Sequence, residues 1–131
     1  MTGRAETVVL DASAMVDLLV VPDRAASVRE AVIDRAVHVP AHFDAEVLSA
    51  LGRLGRAGAI DAGTVVDRLM RVVAAPFERH EVAPLLLGAW ARHERLRLLD
   101  AVYVQLAERL AIPLITSDRA LAAAYPGALV P

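Results

Sequence analysis

The chain has 131 residues, 56% of them hydrophobic, with a formal net charge of −2, no cysteine and, among its 14 basic residues, no lysine. That length suits one domain with a sizeable core and is too short to expect two, so residues 1–131 read as a single domain. Without cysteine there is no disulfide, thiolate zinc site or thiol nucleophile; without lysine there is no Schiff base and no P-loop; and the slight negative charge argues against holding nucleic acid by bulk positive charge.

In chain order, a β-branched run at residues 7–10 predicts a buried strand that stops at Asp11, and Ala12, Ser13, Ala14, Met15 and the Leu18/Leu19 pair predict the helix that follows. Pro22 and Asp23 predict a turn, with Asp23 capping a helix over about 24–33. Residues 37–39, before Pro40, predict a second strand. The next helix carries Glu46, with Val47, Leu48, Leu51 and Leu54 as its buried stripe and Glu46, Ser49, Ala50 and Arg53 on a neighbouring face. Gly55 and Gly58 end it, and Asp61 starts another amphipathic helix through Val65, Val66, Leu69, Met70 and Val73.

A third short strand is expected over 77–82, then a helix over 84–94 that includes Trp90, and a basic link of Arg92, Arg95 and Arg97. Asp100 opens the next helix, 112–116 form a fourth strand, Asp118 starts a helix to about 125, and 128–130 form a last strand. Alternating helices and short apolar strands predict an α/β fold with a parallel sheet covered on both faces. The start of the chain has no long apolar core of the signal-peptide kind, and the apolar segment 82–91 contains Pro84 and is too short for a bilayer; no membrane association and a cytoplasmic location are expected.

Four acids stand at comparable places: Asp11 after the first strand, Glu46 early in a helix, Asp100 at a helix start and Asp118 after the fourth strand. Each alone reads as a helix cap or as a charge on the positive end of a helix dipole. As a set they converge only if the sheet brings those ends to one edge, as open α/β sheets do for their ligands. Carboxylates sharing a site repel unless a cation neutralises them, and Mg²⁺ or Mn²⁺ takes carboxylate oxygen with no need of cysteine or histidine. Such a site suits phosphodiester hydrolysis. Ser13 and Thr116, two residues from Asp11 and Asp118, are placed to orient a carboxylate, a water or a phosphate oxygen.

The segments LDASAMVDLL, PAHFDAEVLSAL, LDAVYVQLAERL and PLITSDRAL, in that order, resemble the four signatures of the PIN-domain ribonucleases and, more narrowly, of the VapC toxins of type II toxin-antitoxin modules. The resemblance implies a PIN-like three-layer fold, a short mostly parallel sheet flanked by helices on both faces. It implies a metal-dependent endoribonuclease toxin in which Asp11, Glu46, Asp100 and Asp118 hold Mg²⁺ or Mn²⁺, with Ser13 and Thr116 assisting. It also implies a homodimer, and a cognate VapB-type antitoxin whose tail blocks the acidic site.

Arg53, Arg97 and Arg119 are candidates for RNA contacts, positioning phosphates without specifying sequence. Asp44 reads as a helix cap and Asp17 as a mid-helix residue. His38, His42, His80 and His93 show no ligand spacing, although His42 stands near Glu46, and Trp90 and Tyr103 read as core. Two other functions fit less well. A receiver-type signalling domain needs a paired acid near the first strand and a late lysine. A non-catalytic PIN-fold module would use the acidic pocket to bind an arginine-bearing peptide.

Overall fold

The computed structural model describes residues 6–131. Five parallel strands, β1 (Thr7–Leu10), β2 (Ala36–Pro40), β3 (Glu78–His80), β4 (Leu114–Ile115) and β5 (Ala128–Leu129), form one sheet in the order β3-β2-β1-β4-β5. The chain builds outward from β1 to β3, then crosses back to place β4 on the other side of β1. That reversal leaves a crevice at the carboxyl ends of β1 and β4, where an open parallel sheet binds ligands.

The central strands β1 and β4 are short Val/Leu/Ile runs because a parallel sheet covered on both faces buries its middle, while the edge strand β3 is polar. Val8, Val9, Leu10, Val39, Leu114 and Ile115 are completely inaccessible. The helices are α1 (Ala12–Val20), α2 (Pro22–Val32), α3 (Phe43–Arg56), α4 (Ala62–Ala74), α5 (Leu86–Trp90), α6 (Leu98–Leu110) and α7 (Arg119–Ala123). Consecutive residues of β3 reach opposite faces of the sheet. Arg79 bonds Asp44 of α3 and the Val72 carbonyl of α4, while His80 shares a cleft with Leu106 and Leu110 of α6.

Several local expectations need correction. Helix α2 starts at Pro22, whose fixed φ suits a first helical position, so Asp23 lies in the first turn and Val21 is the cap residue. Asp61 does cap α4, accepting from the Thr64 N–H at 2.7 Å. Asp44 makes no cap bond and instead takes both arms of Arg79. On α3, Val47 and Leu51 are buried but Leu48 is 54% exposed, and on α4 Val66, Met70 and Val73 face solvent while Val72 is buried. The apolar stripes are therefore narrower than the sequence pattern.

The expected helix over 84–94 is a 3-10 turn at Ala83–Leu85 followed by the short α5, then turns. Gly88 permits this packing: a Cβ there would stand 2.2 Å from the Gln105 side chain of α6. Trp90 is 57% exposed and stacks on His93 rather than entering the core. Gly58, with φ of +77°, turns the chain after α3.

Candidate active site

Asp11 leaves the end of β1 and is buried to 4% exposure, facing the crevice beside β4. One of its oxygens, Oδ2, accepts from Ser13 Oγ at 2.6 Å and from Thr116 Oγ1 at 2.7 Å. Both hydroxyls are themselves held by backbone N–H donors, Ser13 by Ser117 (3.2 Å) and Thr116 by Asp118 (3.0 Å). The loop after β4 is thereby latched to the loop after β1, with a carboxylate at the junction. Burial pushes the Asp11 carboxyl above its usual range; the Ser13 and Thr116 bonds oppose this, and the charges of Asp100 and Glu46 add to it.

Glu46, in the first turn of α3, accepts from the Tyr103 hydroxyl at 2.7 Å and lies 3.2 Å from His42 Nε2, all at Oε1. His42 Nε2 is also 3.2 Å from the Leu99 carbonyl, so this nitrogen faces two acceptors and carries the proton. Burial alone would raise the Glu46 carboxyl, but the His42 and Tyr103 hydrogen bonds, with the electrostatic attraction of His42 and Arg97, hold it below the usual range. Tyr103 is fully buried, and its phenol is pushed far up by burial and by Glu46; it stays a neutral donor.

Asp100 lies in the first turn of α6, and its Oδ2 accepts from Arg97 Nε at 3.1 Å. Burial raises its carboxyl; Arg97 opposes the shift, and Asp118 and Glu46 reinforce it. Asp118 caps α7 through Oδ1, which accepts from Ala120 (2.9 Å) and Leu121 (3.1 Å), while Oδ2 lies 3.6 Å from Arg97 Nη2. Its capping role is thus real, and it occupies only one oxygen.

All four acids line one open cavity of about 710 Å³, together with Ser13, Asp17, Arg53 and Arg97. They share a pattern. Asp11, Glu46, Asp100 and Asp118 each commit one oxygen to protein donors, and the other takes no hydrogen bond among the described residues. Four carboxylates lining one cavity suit a hard divalent cation, which binds oxygen and would relieve the repulsion that adds to the raised carboxyls of Asp11 and Asp100. The 82%-exposed Arg97 side chain bridges Asp100 and Asp118.

Of the candidate arginines, Arg53 lines the cavity and bonds Ser49 Oγ, and Arg97 lies over the acids, but Arg119 is exposed and outside the cavity wall. Arg92, read with the basic link, is tied to Gly88, Gln105 and Glu108 on the flank of α6. Sequence reasoning undervalued Tyr103 and His42. The signal was there: Tyr103 lies three residues after Asp100 and His42 four before Glu46, spacings that share a helix face. Asp17 lines the same cavity and lies 3.6 Å from Arg24.

The model of the PIN domain family matches residues 8–125. Ribonuclease VapC3 of Mycobacterium tuberculosis is 52% identical over 128 residues, 97% of this chain and 93% of that protein. A crystal structure of a protein from Pyrobaculum aerophilum superimposes with a TM-score of 0.72 at 28% identity, covering 93% of this chain and 81% of that one. A chain of a toxin-antitoxin complex from Klebsiella pneumoniae has the same fold, with a TM-score of 0.69 at 19% identity over 94% of this chain and 96% of its own. Matched along nearly its whole length by both the family model and a named ribonuclease, the chain belongs to the PIN-domain family as a VapC-type ribonuclease.

Proposed function

We propose that this single domain is a toxin endoribonuclease whose hydrolytic centre is the acidic cavity, with Asp11, Glu46, Asp100 and Asp118 holding Mg²⁺, or Mn²⁺ in its place. The observation that carries this reading is the set of four carboxylates lining one cavity, each with one oxygen held by hydrogen bonds and the other accepting none among the described residues. A divalent cation there would activate a water and steady the charge that develops on a phosphoryl oxygen.

The chain's own groups set up that chemistry. Ser13 and Thr116 aim Asp11, and Tyr103 and His42 keep Glu46 ionised and oriented. With a cation held by Asp100 and Asp118, Arg97 would be free to contact a substrate phosphate, and Arg53, which lines the same cavity, would be a second phosphate contact. Arg119 is left the weakest substrate contact, since its side chain lies outside the cavity.

A VapB-type antitoxin is the proposed partner. Arg97 already rests on Asp100 and Asp118, so the pocket has the chemistry to take an arginine from an antitoxin tail. The homodimer is proposed from the family resemblance, and the cytoplasmic location from the sequence expectation above. No helix among the described residues is long and apolar enough to cross a membrane.

The test is cleavage of a structured RNA pool by the wild type and by Asp100→Asn purified identically, with Mg²⁺ or Mn²⁺ and with chelator. Chelator-sensitive cutting by the wild type alone supports the reading. Equal cutting by both removes the acidic cavity from the chemistry, and cutting by neither, with capture of an arginine-bearing peptide, favours a non-catalytic binding module.

A further inference from the structure

Outside the acidic cavity, the chain brings together a second set of metal-ligating side chains that the ribonuclease reading does not use. We propose that His38, Glu78 and His80 form a Zn²⁺ site on the β2–β3 edge of the sheet, with two imidazole nitrogens and one carboxylate oxygen as ligands.

The backbone register already dictates the grouping. His38 of β2 stands opposite Glu78 of β3, and His80, two residues further along β3, projects from the same face. The side chains complete it. His38 Nδ1 is 2.8 Å from His80 Nε2 and 3.5 Å from Glu78 Oε2, and all three ligand atoms lie within 4.8 Å of one another. Zinc bonds of about 2.0–2.1 Å at tetrahedral angles place ligand atoms about 3.3 Å apart, so the two measured separations bracket what the ion needs.

The chemistry selects the ion. Two imidazoles with one carboxylate suit a borderline ion such as Zn²⁺, whereas Mg²⁺ prefers an all-oxygen shell. Without metal, the two rings share one proton in their hydrogen bond. On binding, the donor ring gives up that proton and takes one at its other nitrogen, exchanged through solvent, so that both rings stay neutral and both facing lone pairs turn to the ion. The His38 side chain is 16% exposed, so the ring is held in place, while Glu78, 68% exposed, leaves the site open to an entering ion. Three protein ligands leave a fourth position for water. The bound ion would clip the three-residue edge strand β3 to β2.

The experiment uses the full chain without a histidine tag, in saturating Mg²⁺ to occupy oxygen sites, titrated with Zn²⁺ by calorimetry and with Co²⁺ by visible absorption. We expect one Zn²⁺ per chain and Co²⁺ bands of tetrahedral intensity. His38→Gln and His80→Gln should each weaken binding at least about 100-fold, and Glu78→Gln about 10-fold, from the loss of one ligand. Because Glu78 is exposed, its variant reads the site without disturbing the packed rings, and Glu78→His should tighten binding. Asp100→Asn should bind Zn²⁺ as the wild type does, whether or not it cuts RNA. Absence of Zn²⁺ uptake by the wild type, uptake unchanged in the histidine and Glu78 variants, or uptake lost in Asp100→Asn would each overturn the proposal.

Discussion

The acidic cavity and the histidine cluster are both collections of metal-ligating side chains on one parallel sheet, and they differ in how the chain assembles them. The cavity gathers acids from four separate elements at the carboxyl ends of β1 and β4, each stiffened by its own hydrogen bonds. The cluster takes all three ligands from two neighbouring strands, positioned by register alone. Carboxylates that repel one another need a supporting shell of hydroxyls and an arginine. Imidazoles, which can share a proton, need only proximity. On the proposals above, the first arrangement would serve as an open site for turnover and the second as a clip at the sheet edge.

Removing a cavity acid gives the largest separation between the two. Asp11→Asn or Asp100→Asn should lower RNA cleavage on the order of 10³-fold or more, since the lost charge acts where the reaction develops its own, while zinc uptake is kept. Core damage should instead strike both sites together. Leu51 is fully buried, so Leu51→Ala should cost about 2–5 kcal/mol in denaturant unfolding. Leu48→Ala, on the exposed side of the same helix, should stay within about 0.5 kcal/mol.

Tyr103→Phe sharpens the comparison by touching only the support of Glu46. It deletes the 2.7 Å bond and leaves the ring packing, and should reduce Mg²⁺ affinity or cleavage about 10–100-fold with no change in zinc uptake. Equal activity in Tyr103→Phe would mean that Glu46 needs no such support.

A further effect is on the pH dependence of stability. Burial raises the Asp11 carboxyl above the usual carboxylate range in the folded protein, so the group favours folding only when protonated, and that contribution is lost as pH rises through the folded value. In metal-free protein, Asp11→Asn should therefore unfold at a higher temperature than the wild type at neutral pH. The gain should shrink on acidification, and added Mg²⁺ should reverse the order by stabilising only the wild type. A wild type that outlasts the variant in chelator at neutral pH would contradict the electrostatic account.

Much of the cavity was legible in the sequence because its acids follow predictable boundaries: a β-branched run ending at Asp11, a proline before the helix of Glu46, and strand ends before Asp118. The supporting residues were harder to read. Tyr103 has apolar neighbours and is indeed buried, so only its hydroxyl sets it apart from core. Leu48 and Val73 follow helical periodicity yet face solvent, because periodicity marks a stripe but not how much of it a neighbour covers. The histidine cluster was invisible for a different reason: His38 and His80 lie 42 positions apart, and only the pairing of β2 with β3 makes them neighbours.

The most direct test of the central claim is anomalous diffraction from crystals of the wild-type protein grown with Mn²⁺. The account predicts a manganese peak in the acidic cavity within about 2.0–2.3 Å of the uncommitted oxygens of Asp11 and at least one other of the four acids, with Arg97 moved off Asp100. A cavity without manganese at saturating concentration, with Arg97 still bridging Asp100 and Asp118, would contradict it.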